Sequence, residues 1–346
     1  NVSEFLTHDA CTDTSITDAD YFTDPDPATW DGSTYMYIHG GNNAVIRRRV
    51  TGYDPAGRTI FFEPLGEPFY TTYAMVNALK ILDTPGEFVI REDQTDASGR
   101  PRMYLWSLTP GTAGKDISVT VRDCCFDLGA ASHVTIRGFE LRKTGAADAA
   151  VTNTMNVGCT GLTIADNIVI NHAGSGIGLD DVTDSVIEGN EVRFNKGRGI
   201  IIAEALYSSV RNNTLQKNGG TAIDYYWSHH SDITGNIVFD NEGGHANGIT
   251  VYLDSSDILI FGNRVWGGNI ACTVGDCANM TIACNVLVGG QDANYAFADW
   301  RNQNGLYLYN NVIRGGTSIS STSTNVVARN NIMDGSPVQY RGGVSE

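Results

Sequence analysis

Four acids and one tryptophan recur at a fixed offset in this sequence. Asp181, Glu204, Trp227, Asp254 and Asp276 each stand nine residues before an asparagine, at Asn190, Asn213, Asn236, Asn263 and Asn285. If these positions stack, successive carboxylates lie about 4.8 Å apart, and like charges that close repel unless a proton or a cation intervenes. Three readings compete. Asp181 over Glu204 is near the roughly 5 to 5.5 Å carboxyl separation used to cleave a glycosidic bond with retention, one acid as nucleophile and the other as acid/base. A neighbouring pair could instead hold Ca²⁺, which takes several oxygen ligands. The plain alternative is a solvated row capping strand ends.

Alternation adds aromatic rings to the acids. With Ile223 and Tyr225 facing inward, Asp224 and Tyr226 turn outward; with Ile249, Val251 and Leu253 inward, Thr250, Tyr252 and Asp254 turn outward. Tyr226 and Tyr252 then fall on consecutive repeats, beside Trp227, His229 and His230. Exposed rings next to carboxylates suit sugar recognition, because a ring packs on the apolar face of a pyranose while acids bond its hydroxyls. Asp224 and Asp254 form a second candidate pair, roughly 8 to 12 Å apart on strand spacing, which leaves room for the water of an inverting mechanism. Asp180 is a further candidate substrate contact. Neighbours on a strand face opposite ways, so only one of His229 and His230 reaches the cleft, and His230 is the expected one. His172 and His245 read as surface turn histidines. Trp300 and Arg301, with Asp299, are expected to close one end of the groove, and Arg301 also suits a substrate carboxylate. Elimination on a uronate polymer needs a base and cations, and Arg198 and Arg301 are the cations near these segments.

The element that must position these residues is a repeat. An apolar residue, two residues, Asn, one residue and another apolar residue recur as Ile164-Ala-Asp-Asn167-Ile-Val169, then around Asn190, Asn213, Asn236, Asn263, Asn285 and Asn311, and as Val327-Ala-Arg-Asn330-Asn-Ile332. Successive asparagines differ by 23, 23, 23, 27, 22, 26 and 19. A period near 23 with short alternations and recurrent Gly predicts an all-β solenoid whose coils each hold three short strands and three turns, every strand paired in parallel with its equivalents above and below. The asparagines are structural in this reading: Asn tolerates left-handed turn geometry, and its amide can bond the next Asn in a ladder.

The first 110 residues lack this period. Tyr35-Met-Tyr-Ile-His39, Ala44 to Val50 and Arg58 to Phe62 alternate as strands, whereas Thr72 to Leu82 has helical spacing. Residues 1–112 are therefore expected to hold early coils plus an inserted β-rich subdomain, and residues 113–346 the solenoid. The Ser/Thr run from Thr317 to Thr324 reads as a loop or a coil edge.

With its Asn period running from about Asp116 to Asp334, the chain resembles the right-handed parallel β-helix proteins of the pectate-lyase-like superfamily. Leu82-Asp-Thr-Pro-Gly-Glu-Phe-Val-Ile-Arg91 followed by Arg102-Met-Tyr-Leu-Trp106 is similar to a hairpin found upstream of the helix in β-helical glycoside hydrolases, with Phe88 in place of the usual Trp. Gly248-Ile-Thr-Val-Tyr-Leu-Asp254 resembles a strand that carries catalytic acids in those enzymes, with Ser255 where a second Asp would stand. The resemblance implies a glycoside hydrolase acting on a poly- or oligosaccharide.

Composition narrows the field. A formal charge of −16, from 23 Lys+Arg against 39 Asp+Glu, argues against nucleic acid, since phosphate neutralisation needs clustered cations and Arg47-Arg48-Arg49 is the one basic run. No apolar stretch reaches the roughly 20 residues of a membrane span. Seven cysteines at irregular spacing suggest no metal motif, and Cys272 with Cys277 is the most plausible bridge. The opening Asn-Val-Ser-Glu reads as a mature secreted or cell-surface form, or as a fragment. The leading expectation is a secreted glycoside hydrolase using two of Asp181, Glu204, Asp224 and Asp254, with no cofactor required. The alternatives are a Ca²⁺-assisted polysaccharide lyase and a non-catalytic adhesin, spike or filament subunit.

Overall fold

The structure, a computed structural model, describes residues 6–40, 44–66, 70–85, 87–106, 120–145, 149–243, 245–290, 295–334 and 339–341. The chain divides into two units, residues 1–118 and 119–346. The expected boundary at 112/113 lies outside the described residues.

In the first unit, alternating apolar residues build a six-stranded antiparallel sheet over a core of Ile16, Phe22, Trp30, Met36, Ile38, Ile60 and Tyr73. The segment expected to be helical joins this sheet as strand Tyr70–Val76, paired antiparallel with Tyr35–Gly40, and only Leu79–Ile81 forms a single 3-10 turn. Its apolar spacing fits either period, and the partner strand decides between them. The predicted hairpin is present as Phe88–Thr95 against Pro101–Leu105. The first strand paired into a sheet of the solenoid is Phe126–Asp127, preceded by Cys125, whose N–H donates to the Ala150 carbonyl at 2.8 Å.

In the second unit each coil contributes one strand to each of three parallel sheets. Sheet I contains Ile177–Thr183, Ile200–Leu206, Ile223–Tyr226, Ile249–Tyr252, Cys272–Gly275 and Phe297–Asp299. Sheet II contains Val186–Glu188 and its equivalents, and sheet III contains Glu191–Arg193 and its equivalents. Inward side chains stack in columns, such as Ile177, Ile200, Ile223 and Ile249 in sheet I and Ile164, Ile187, Val210, Ile233, Ile260 and Ile282 in sheet II, all fully buried. The protein is a right-handed parallel β-helix, the hand that parallel crossovers almost always take.

The asparagine ladder forms between sheets II and III. From Asn190 on, each ladder Asn accepts the next-lower Asn's backbone N–H and amide on Oδ1, as in Asn190 N to Asn213 Oδ1 at 2.9 Å, and each donates Nδ2 to a carbonyl below, while Asn167 at the first rung accepts the Phe139 N–H. Left-handed backbone belongs to the residue before the ladder Asn, at Asp166, Gly189, Asn212, Gly235, Gly262, Cys284, Asn310 and Asn330. The ladder positions are thus selected for the buried amide and not for turn geometry. It follows that the last rung is Asn331, not Asn330: Asn311 N–H donates to Asn331 Oδ1 at 2.9 Å. A second ladder lies five residues further on, where His172, Asn195 and Asn218 donate backbone N–H groups in turn to Asn195, Asn218 and Asn241. His172 is therefore a buried rung whose Nδ1 meets the Thr144 hydroxyl at 2.9 Å, with burial pulling its pKa down, and not a surface turn residue.

Replacing Asn213 with Ala strands the carbonyl of Ile187 and the N–H of Asn190 in the buried interior. The expected loss is about 3 kcal/mol, since each buried unsatisfied group costs roughly 1 to 3 kcal/mol. Denaturant unfolding checks this, and a loss well under about 1 kcal/mol contradicts the ladder's role.

Two further expectations are corrected. Cys272 and Cys277 are buried free thiols that fill the core, not a disulfide, because Cys272 faces inward from sheet I while Cys277 lies beyond the bend at Asp276. Of the two readings of Thr317 to Thr324, loop or coil edge, the loop is overturned: Thr317–Ser320 and Thr324–Arg329 are strands that extend sheets I and II.

Candidate functional site

The row of acids has a backbone cause. Asp181, Glu204, Trp227, Asp254 and Asp276 all adopt left-handed φ, between 48° and 59°, at the bend where a sheet I strand turns toward sheet II. A left-handed residue breaks the alternation of the strand and throws its side chain out at the same point of every coil. Asp is among the residues that tolerate this geometry, so Asp181, Asp254 and Asp276 need no further reason for being acidic. Glu204 and Trp227 have no such excuse: nothing in the bend favours a long or bulky side chain.

These two line a cavity of about 440 Å³ with Asp181, Thr183, Ala205, Leu206 and His229. The pairs Asp180 with Ala203 and Val182 with Ala205 bracket Asp181 and Glu204, so the two acids stand side by side across one coil step. Asp181 is half-buried and Glu204 is exposed. The cavity therefore holds two carboxylates, an indole and an imidazole. The histidine is His229, not His230. His230 also takes left-handed φ, which turns it away to stack on Tyr207 and face Asp257.

Asp224 faces outward from sheet I as alternation predicts, yet it is inaccessible. It is fully buried, Arg198 Nε lies against its Oδ2, and the hydroxyls of Tyr226 and Thr250 approach it, although neither oxygen receives a well-directed hydrogen bond. Burial pushes its pKa up to about 6 against the opposing pull of Arg198. Burial likewise raises Tyr226 to about 12. Asp254 lies four residues beyond Thr250, the register partner of Asp224, at the exposed bend. The structure does not bring Asp224 and Asp254 to one point, and Asp224 is placed to fix Arg198 and Tyr226.

Further along the same bend a cavity of about 740 Å³ is lined by Asn247, Tyr252, Asn269, Asp276, Tyr295, Trp300 and Arg301, among others. Arg301 Nε donates to Asp276 Oδ2 at 2.5 Å, and Asn302 Nδ2 donates to Oδ1 at 2.7 Å. Arg301 is thus committed to a neighbouring acid. Two other expected contacts stand elsewhere. Asp180 accepts the Asn156 N–H at 2.6 Å and so holds the 153–156 segment. Asp299 occupies the inward register of Val274 and is fully buried, so it closes no groove. Ser255 is a buried hydroxyl that accepts the Ser228 N–H at 3.1 Å.

Comparison with known proteins agrees with the fold expected from the repeat. Residues 114–263 match the family described as periplasmic copper-binding protein (NosD). No curated protein matches the sequence. Among solved structures, one described as a glycoside hydrolase superposes on 98% of this chain and 72% of its own with a TM-score of 0.51 at 11% identity. The A-module of the Azotobacter vinelandii mannuronan C-5 epimerase AlgE4 covers 61% of this chain with a TM-score of 0.39 at 14% identity, and this chain spans 65% of that module. At 11% identity the likeness to the glycoside hydrolase is one of fold. The family description mentions copper, but among the described residues no three His, Cys, Asp or Glu side chains converge to hold a metal ion. The described donors do not gather into a copper centre.

Proposed function

We propose that this protein is a carbohydrate-active enzyme acting outside the cytoplasm, a retaining glycoside hydrolase whose carboxylate pair is Asp181 and Glu204. The observation that carries the reading is that these two acids, one coil apart, open into one cavity beside Trp227 and His229. Coil spacing of about 4.8 Å sets two carboxyl groups near the roughly 5 to 5.5 Å that double displacement requires. Asp181, the shorter and half-buried acid, attacks the anomeric carbon. Glu204, the longer and exposed one, protonates the departing oxygen as the glycosidic bond breaks. Glu204 then takes a proton from water as that water cleaves the glycosyl–Asp181 ester, which returns both acids to their starting states. Trp227 offers an exposed ring face on which a pyranose can pack.

Two observations favour this over the alternatives. Elimination on a uronate needs cations free to neutralise the substrate, whereas Arg198 is paired with Asp224 and Arg301 with Asp276. A non-catalytic rod has no need of two carboxylates one coil apart opening into one cavity. The test is product analysis on a panel of neutral and uronate polysaccharides. New reducing ends without ultraviolet-absorbing unsaturated products support hydrolysis, and unsaturated products that appear only with added Ca²⁺ overturn it in favour of the lyase.

A further inference from the structure

We infer that the larger cavity is a separate binding site for neutral pyranose units of a long glycan. The inference rests on the sugar-directed reading above but not on hydrolysis. Its floor is Gly275, the register partner of Tyr252: a Cβ there would meet the Tyr252 ring at 2.9 Å, so only glycine lets that ring lie across the neighbouring coil. Tyr252, Trp300 and Tyr295 then form an aromatic wall, with the Tyr295 and Trp300 rings edge to face at 6.5 Å. The amides of Asn247 and Asn269 add hydrogen-bonding groups beside these rings. Apolar ring faces with a few convergent polar groups are what a pyranose presents a match for.

Charge selects the class of sugar. The carboxylate and guanidinium in the lining, Asp276 and Arg301, cancel each other in a direct ion pair with both Asp276 oxygens engaged, and His245 is the one other ionisable side chain besides the tyrosines. Among the described lining residues no lysine or arginine is left to await a carboxylate, and the whole chain carries a formal charge of −16. A uronate gains nothing here and is repelled at long range.

Position links this cavity to the acid pair. Glu204 and Asp276 occupy the same bend three coils apart, about 14 Å along the axis. A chain lying along the bend engages both cavities, so the larger one anchors polymer while the smaller one receives the scissile bond.

The test uses the full chain carrying Glu204→Gln, so that bound glycan is not consumed, titrated calorimetrically with xylohexaose, cellohexaose, mannohexaose and hexagalacturonate. At least one neutral hexasaccharide is expected to bind, more tightly than hexagalacturonate. Adding Trp300→Ala or Gly275→Ala is expected to weaken that binding by about tenfold or more through loss of the aromatic wall. Absence of binding by every neutral hexasaccharide, preference for hexagalacturonate, or unchanged affinity in both variants overturns the inference. Binding lost in these variants while wild type hydrolyses nothing keeps the site and sinks only the catalytic reading.

Discussion

Glu204→Gln is expected to lower hydrolysis by about 10² to 10⁴-fold, the usual contribution of a positioned acid/base, while leaving the fold intact. The same position offers a sharper contrast. Glu204 sits at φ 53°, where an L side chain other than Asn or Asp carries a cost of about 1 to 2 kcal/mol. Glu204→Asn keeps a small polar side chain suited to that backbone, so the variant is expected to melt a few degrees higher while losing activity, at roughly 2 to 4 °C per kcal/mol for a unit of this size. Thermal melting and hydrolysis of the two variants check the pair of outcomes. A Glu204→Asn protein that melts lower than wild type means that Glu204 makes stabilising contacts, and the strain then says nothing about function.

The second large effect concerns Arg198. Arg198→Met leaves the Asp224 carboxylate buried and without its counter-charge, and breaking a buried pair on one side typically costs about 3 to 5 kcal/mol. The sign of the pH dependence follows from the raised pKa. Burial pushes the Asp224 pKa up to about 6, against about 3.9 in an unfolded chain. Its contribution is fully present below about pH 4 and is lost as pH rises through about 6, because the native state holds the proton more tightly across that window. The full span is on the order of 3 kcal/mol for a group this buried. Arg198→Met removes the one charge that opposes the burial shift, so its deficit against wild type is expected to be small at pH 4 and to widen through pH 7. Asp224→Asn, which has nothing to ionise, is expected to gain on wild type over the same range. Melting temperatures of the three proteins from pH 4 to pH 8 decide the matter; parallel curves mean that Asp224 does not titrate in this window.

Much of the β-helix was legible because its cause is local and repeated. Each coil needs one buried amide at the same turn, and eight asparagines at near-constant spacing announce it. The second ladder was equally visible, since Asn195, Asn218 and Asn241 stand five residues after Asn190, Asn213 and Asn236. At the last rung hydrophobicity ranks Val327 above Ala328 as the inward residue, whereas register with Leu308 places Ala328 there. Sites were less legible because the alternation rule fails at left-handed residues. His230 is turned away by its own φ, and the Asp181 row projects outward at a bend that a period of 2 does not anticipate. The burial of Asp224 depends on what covers an outward face, which no strand pattern records. Gly275 matters only because Tyr252 lies beside it in register, a pairing that spans 23 residues.

The central claim is that Asp181 and Glu204 act together by double displacement. The most direct measurement is mass spectrometry of the protein after incubation with activated 2-fluoro glycosides, whose glycosyl-enzyme forms faster than it hydrolyses, followed by peptide mapping. A glycosyl adduct on the peptide that contains Asp181, absent in Asp181→Asn, is the predicted result. Hydrolysis that proceeds with no adduct on Asp181, or with full activity in Asp181→Asn, contradicts it.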